Sequence, residues 1–169
     1  MQARAYAFMG TADQHRGWRA ASGAPVLHLL FPGEASSVRR ALKTAMAVFG
    51  DMPRGSAPIS VVEIVLAEVL NNVVEHAYAE HGRGLVELEV EHGTASLAFR
   101  IRDEGLPMPG GDAPAGLAHD LDVSAQDLPE GGFGWFLIRE LTEDLRYRRV
   151  GTRNELTFRI AHDAQVPDR

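Results

Sequence analysis

The 169-residue chain contains 45% apolar and 24% charged residues, no cysteine, and a formal net charge of −6. This composition is that of a globular domain large enough to bury a core, and it excludes disulfides and thiolate chemistry. A long apolar run and an uninterrupted N-terminal apolar stretch are both missing, so neither a transmembrane helix nor a secretory signal is expected. The acidic charge disfavours direct binding to nucleic acid, and we expect a cytoplasmic protein whose surface suits a basic protein partner.

The predicted elements follow one another as the strands and helices of a single domain. Residues 1–24 show no convincing periodicity and are predicted to form a loosely packed N-terminal arm, and residues 163–169 a C-terminal tail. Within 25–162, hydrophobic periodicity predicts a strand at 26–31, helices at 34–49 and 59–79, strands at 85–90 and 97–102, a helix at 133–141, and strands at 145–150 and 155–160. This order predicts a two-layer α/β sandwich with a mixed, mostly antiparallel sheet and helices on one face.

The helix predicted at 59–79 has an unusual polar side. Ser56 or Ser60 is its expected N-cap. Glu68, Asn72 and His76 recur one turn apart, beside a stripe of apolar residues that faces the core. An ordinary solvated surface is one interpretation, but asparagine is a weak helix former and is out of place in a helix centre. The alternative is a ligand site, since a carboxylate and an amide oxygen suit Mg²⁺, which also retains waters and substrate phosphates.

Two further segments have the composition of ligand sites. Asp103 and Gly105 directly follow a predicted strand, where an acid can accept a hydrogen bond from an exocyclic amine and a glycine allows a sharp turn. Gly131, Gly132 and Gly134 precede an apolar helix, whose first backbone amides can bind phosphate. Taken singly, the first segment is also an ordinary turn and the second an ordinary loop, and no Walker-type motif is present.

Together these segments resemble the GHKL ATPase superfamily, whose nucleotide-binding domain is the Bergerat fold. The sequence EVLNNVVEHAY resembles its N-box, DEGLP the first glycine box and EGGFGWFLI the second, in the same order and with a long lid between the last two. The resemblance covers about residues 25–160 and is greatest to the small serine-protein kinases that act as bacterial anti-sigma factors. The joint occurrence of the three boxes is much more specific than any one of them.

The resemblance implies a role for each matching residue. Glu68 would be the general base that takes the proton of the attacking hydroxyl, and Asn72 would coordinate Mg²⁺. Asp103 would bind the adenine amino group of ATP, and Asn154 stands where the family often has a threonine that supports the adenine site. The other implied nucleotide-binding residues are His76 on the N-box face, Gly105 beside the adenine pocket, and Gly132, Phe133 and Gly134, whose amides would face the phosphates.

The chain departs from the family pattern at two places. Pro107 replaces the second glycine of the first glycine box, and its fixed φ and missing amide donor predict a stiffer pocket. The lid, residues 106–130, contains no lysine or arginine that could bind the terminal phosphates. That charge would have to come from Mg²⁺, from the N-terminus of the following helix, or from Arg102, Arg139 or His119.

The resemblance implies an anti-sigma factor serine/threonine-protein kinase. Such a protein binds ATP–Mg²⁺, sequesters a sigma factor and phosphorylates an anti-sigma-factor antagonist of the STAS type, without contacting nucleic acid or membrane. It also implies a homodimer, formed through the sheet or the first helix. The alternative is a partner-switching module that binds nucleotide without catalysis, which Pro107 and the cation-free lid favour. A histidine-kinase catalytic domain is a further possibility, disfavoured because no phospho-acceptor helix precedes residue 25.

Overall fold

The computed structural model describes residues 25–52, 56–79, 84–115 and 133–162. The predicted arm at 1–24, the tail at 163–169 and most of the lid lie outside this part of the chain. The elements are β1 (Pro25–Pro32), α1 (Ala35–Gly50), α2 (Ile59–Asn72), a π-helical turn (Val73–Ala77), β2 (Leu85–His92), β3 (Ser96–Asp103), a 3₁₀ turn (Pro109–Gly111), α3 (Phe133–Leu141), β4 (Glu143–Val150) and β5 (Arg153–Ala161).

The five strands form one sheet in the order β1-β2-β3-β5-β4. Every pair of neighbours is antiparallel. The β2–β3 hairpin closes through the amide of Gly93, which donates to the Ser96 carbonyl at 2.9 Å. The β4–β5 hairpin turns at Gly151, where φ is +61° and glycine carries no steric penalty. Because side chains alternate along a strand, each strand has one face toward the helices and one away from them.

The helices cover one face of the sheet, and the core lies between the two layers. Leu88, Phe99 and Phe158 from the sheet are fully buried, and so are Leu66 and Ala45 from the helices. The rings of Phe99 and Phe158 stack with centroids 4.9 Å apart across the β3–β5 pair. The predicted two-layer α/β sandwich is therefore confirmed. No helix within the described residues is long and apolar enough to span a bilayer.

The other face of the sheet carries a row of ion pairs that crosses all five strands. Glu87 accepts from His28 at 3.0 Å and from Arg102 at 3.1 Å. Glu155 accepts from Arg102 at 2.9 Å and from Arg148 at 2.6 Å. Arg102, one of the cations considered for the phosphates, is thus engaged on the face turned away from the helices.

The start and the end of α2 differ from their prediction. The N-cap is Pro58, whose carbonyl accepts from the amide of Val62 at 3.0 Å, and no side chain caps the helix. The expected cap at Ser56 or Ser60 is therefore wrong, because Pro58, whose side chain has no hydrogen-bond acceptor, occupies the cap position. At its other end the helix widens into the π-helical turn, where the amide of Tyr78 reaches back five residues to the Val73 carbonyl at 3.1 Å. Such wide turns occur mostly as single turns at functional sites.

Candidate functional site

A cavity of about 880 Å³ lies between α2, the adjoining ends of β3 and β5, and the first turn of α3. This volume is in the range of natural cofactor and ligand sites. Six of the residues singled out from the sequence line it: Glu68, Asn72, His76, Asp103, Gly134 and Asn154. Gly105 and Phe133 are not among its lining residues, and the side chain of Phe133 is half exposed. Gly132 lies outside the described residues.

Glu68 lies directly against the first turn of α3. A Cβ built on Gly134 would overlap with the Oε2 atom of Glu68, so the missing side chain of Gly134 makes room for this carboxylate. The carboxylate and the N-terminal end of a helix are therefore in van der Waals contact on the cavity wall. This arrangement can present a proton acceptor beside backbone amides that favour negative charge.

Asn72 is half buried on the same wall, one turn after Glu68. Its Nδ2 atom is fully buried and has no hydrogen-bond partner among the described residues. A buried amide nitrogen normally has a partner, so this donor is an exception. It cannot itself bind a cation, and the metal-binding atom of Asn72 would be its amide oxygen. No group of three or more acidic or histidine side chains in the described ranges could hold a metal by itself. The donor set of Glu68 and Asn72 fits Mg²⁺ that also takes oxygens from phosphate and water.

Asp103 forms the opposite wall, at the end of β3. It is 7% exposed, and its Oδ1 atom accepts from the amide of Gly105 at 2.8 Å and from Nδ2 of Asn154 at 2.7 Å. Its pKa is raised by burial, against the opposing effects of these two donors and of the positive charge of Arg149. No described residue hydrogen-bonds to Oδ2, so this oxygen remains available to a donor in the cavity.

Asn154 is held from behind by two side chains of β4. Its Oδ1 atom accepts from the hydroxyl of Tyr147 at 2.7 Å and from the guanidinium of Arg149 at 2.6 Å. Neither β4 residue was predicted as part of the site. The available signal was the alternation in LRYRRV, which places Tyr147 and Arg149 on the face opposite Arg146 and Arg148.

Gly105 joins the loop after β3 to the π-helical turn. A Cβ on this residue would overlap with the carbonyl of Ala77, and the next residue, Leu106, donates its amide to the same carbonyl at 2.7 Å. Tyr78 reinforces the joint, because its hydroxyl donates to the Leu85 carbonyl at 2.8 Å and accepts the amide of Glu104 at 3.2 Å. Burial raises the pKa of this tyrosine. Gly105 therefore shapes the site from outside the cavity.

No lysine or arginine lines the cavity within the described ranges. Arg139, the other arginine considered for the phosphates, donates to the carbonyls of Ala113 and Pro114, both at 2.6 Å, and so anchors the first part of the lid. His119 lies outside the described residues. Pro107 lines the cavity wall, where a glycine is expected from the family pattern.

Comparison with known proteins identifies proteins that are similar to this chain. The sequence profile described as "Histidine kinase-like ATPase domain" matches residues 31–160. The chain is 30% identical over 97 residues to the "Serine/threonine-protein kinase BtrW" of Bordetella bronchiseptica strain RB50, a match that covers 57% of this chain and 66% of that protein. The chain thus spans just under two thirds of the length of that relative. The catalytic domain of histidine kinase ThkA aligns with a TM-score of 0.47 and 12% identity, covering 82% of this chain and 99% of that one.

Proposed function

This chain belongs to the family of histidine kinase-like ATPase domains, and we propose that it is a protein serine/threonine kinase that uses ATP and Mg²⁺. The observation that carries the proposal is the convergence of Glu68, Asn72 and Asp103 on one cavity. Glu68 and Asn72 come from α2 and Asp103 from the end of β3. Together they offer a proton acceptor, an amide, and an acceptor for the amino group of adenine. The similarity to the Bordetella serine/threonine-protein kinase supports the choice of a serine/threonine kinase.

We propose a part in the reaction for each wall. Asp103 accepts a hydrogen bond from the adenine amino group and so orients ATP, while the first turn of α3 faces the phosphates. Asn72 would hold Mg²⁺, and the ion would supply charge neutralisation at the phosphate oxygens. Glu68 accepts the proton of a serine or threonine hydroxyl as its oxygen attacks the γ-phosphorus. The bond from that phosphorus to the bridging oxygen breaks, and ADP leaves with the electron pair.

The partners of this kinase are part of the same proposal. We propose that it sequesters a sigma factor and phosphorylates a STAS-type antagonist of anti-sigma factors, acting as a homodimer in the cytoplasm. The net charge of −6 supports a partner with a basic surface.

Transfer of the γ-phosphoryl group tests the reaction. The protein is incubated with γ-labelled ATP, Mg²⁺ and candidate antagonists from the same cell, and phosphoserine or phosphothreonine is quantified. In Glu68→Gln the transfer rate falls by about 10²- to 10⁴-fold, because the proton acceptor is lost. The matched control is Glu63→Gln, an exposed glutamate of the same helix that does not line the cavity, which retains full activity. Transfer that survives Glu68→Gln contradicts the assignment.

A non-catalytic nucleotide-binding module is the second candidate. Pro107 on the cavity wall and the absence of lysine and arginine from the described lining favour it, since these features leave the terminal phosphates without a side-chain cation. Calorimetry separates the two functions. If the protein binds ATP–Mg²⁺ but transfers no phosphoryl group to any candidate antagonist, the result supports the module and contradicts the kinase.

A further inference from the structure

Tyr147 and Arg149 are two residues apart on β4, on the same face of the strand, and both donate to the amide oxygen of Asn154. Neither residue belongs to any of the three boxes. Arg149 does not line the cavity, and Tyr147 lines it while turning its hydroxyl to Asn154. These two side chains are therefore placed to act on the nucleotide through Asn154.

The two donors determine which way the amide of Asn154 points. A hydroxyl and a guanidinium can both donate only if the oxygen of the amide faces them. The NH₂ group then faces Asp103, to which it donates at 2.7 Å, and Leu106, whose carbonyl accepts at 3.0 Å. With the amide reversed, its oxygen would face the carboxylate of Asp103, and both groups would be acceptors without a proton between them.

The same side chains also fix the loop that follows Asp103. The guanidinium of Arg149 donates to the Gly105 carbonyl at 2.9 Å, and the hydroxyl of Tyr147 accepts from the amide of Met108 at 3.1 Å. The loop is thus tied on both sides of Pro107. These ties hold the backbone in place where the family pattern has a second glycine.

We propose that Tyr147 and Arg149 are positioning residues that give the site its selectivity for the 6-amino group of adenine. By orienting the amide of Asn154, they engage Oδ1 of Asp103 and leave Oδ2 to accept from the base. This inference rests on the proposed nucleotide binding and adds the residues that set its base selectivity.

The test compares ATP with purine riboside 5′-triphosphate, which lacks only the 6-amino group. Dissociation constants for both are measured by calorimetry with Mg²⁺, and the ratio between them reports recognition of the amino group. Wild-type protein prefers ATP. In Arg149→Gln and in Tyr147→Phe the preference falls at least about threefold, while affinity for the analogue changes less than about twofold. Tyr147→Phe keeps the ring in the wall, so it serves if Arg149→Gln does not fold.

If the two residues had a purely structural role, their substitution would weaken the binding of both nucleotides by the same factor, and that outcome overturns the inference. Arg146→Gln is the matched control, because Arg146 lies on the same strand but on the face away from the helices, and it leaves the ratio unchanged. A ratio that is unchanged in both β4 variants also overturns the inference while ATP binding stands. If wild-type protein binds neither nucleotide, the proposed function fails, and the selectivity assigned to β4 fails with it.

Discussion

The two walls of the cavity differ in how their polar groups are held. On the strand wall, Asp103 and Asn154 are buried and joined by a network that includes Tyr147, Arg149 and four backbone groups of the loop after β3. On the helix wall, Glu68 has no hydrogen-bond partner and Asn72 has a buried unpartnered nitrogen, as far as the described residues extend.

This difference indicates where the protein is organised before its substrate arrives. The strand wall has its hydrogen bonds in place, and under the proposed function it would bind a base without rearrangement, which preserves affinity. The carboxylate of Glu68 on the helix wall would gain a partner only when the substrates are bound. We therefore expect substitutions on the strand wall to change nucleotide affinity and substitutions on the helix wall to change the rate of transfer.

On the helix wall, Gly134→Ala is expected to cause the largest loss of transfer rate among the variants that keep Glu68 itself. The new methyl group displaces the carboxylate of Glu68, and a shift of about 1 Å in a reacting group costs about 100-fold in rate. Stability stays the same or rises, because alanine favours helix and the displaced atom is the end of a flexible side chain. Phosphotransfer assays and urea unfolding measure the two effects. Gly50→Ala, in the last turn of α1 with open space around it, gains stability without losing activity. Unchanged transfer in Gly134→Ala would remove Glu68 from the reaction.

On the strand wall, Asp103→Asn is expected to weaken ATP binding by roughly 10- to 150-fold, because a charge-assisted hydrogen bond is lost. Stability responds in the opposite direction. Burial raises the pKa of Asp103 in the folded protein, so the ionised carboxylate opposes folding at neutral pH and this penalty disappears as the pH falls toward the ordinary pKa of 3.8. The variant is therefore as stable as the wild type or more so near pH 7, and its advantage shrinks as the pH falls toward 3.8.

Urea unfolding of the wild type and of Asp103→Asn at both pH values, with calorimetry of ATP, measures these effects. A variant that loses stability at neutral pH and keeps its ATP affinity would show that the strand wall is organised for folding alone.

A smaller effect is expected behind the strand wall, in Tyr78→Phe. The hydroxyl is lost from the Leu85 carbonyl and from the amide of Glu104, which lowers the free energy of unfolding by about 1–2 kcal/mol. ATP affinity changes less than about threefold, since Tyr78 does not line the cavity. Thermal or urea unfolding measures the loss. Tyr147→Phe is the matched comparison. It also removes one tyrosine hydroxyl, but from a residue that contacts Asn154, so it changes base selectivity as well.

The smallest effect is expected on the far face of the sheet, in His28→Gln. The side chain of His28 in its pair with Glu87 is 49% exposed, and such pairs contribute at most about 1 kcal/mol. ATP affinity and transfer rate are unchanged, as urea unfolding and the two functional assays will verify. A change in nucleotide affinity would mean that the ion-pair row communicates with the cavity.

Local pattern was sufficient to predict the sandwich and the residues that periodicity aligns. Glu68 and Asn72 could be grouped because they are one helical turn apart, and Asp103 because it ends an alternating strand. The contribution of Tyr147 and Arg149 could not be predicted, since it depends on the pairing of β4 with β5, where Arg149 lies opposite Asn154. Strand register is a tertiary property that sequence spacing does not contain.

The ends of α2 show the same limit of local pattern. Two serines near its start have the chemistry of a cap, but the backbone of Pro58 provides the first hydrogen bond. The apolar residues of the π-helical turn are compatible with an ordinary helix, so the widening is visible only in the hydrogen bond from Tyr78 to Val73. The carbonyl of Ala77 in this turn contacts Gly105 and Leu106, which are remote in the sequence.

The π-helical turn makes this part of the chain tolerant of one change in length. The amide of Tyr78 bonds to the carbonyl of Val73, five residues back. A deletion of one residue between them would leave Tyr78 four residues from the same carbonyl, which is the spacing of an ordinary α-helix. Tyr78 would then keep its place between Gly33 and Gly84. We therefore expect a one-residue gap at this point, in an alignment with a relative, to leave the base pocket in place.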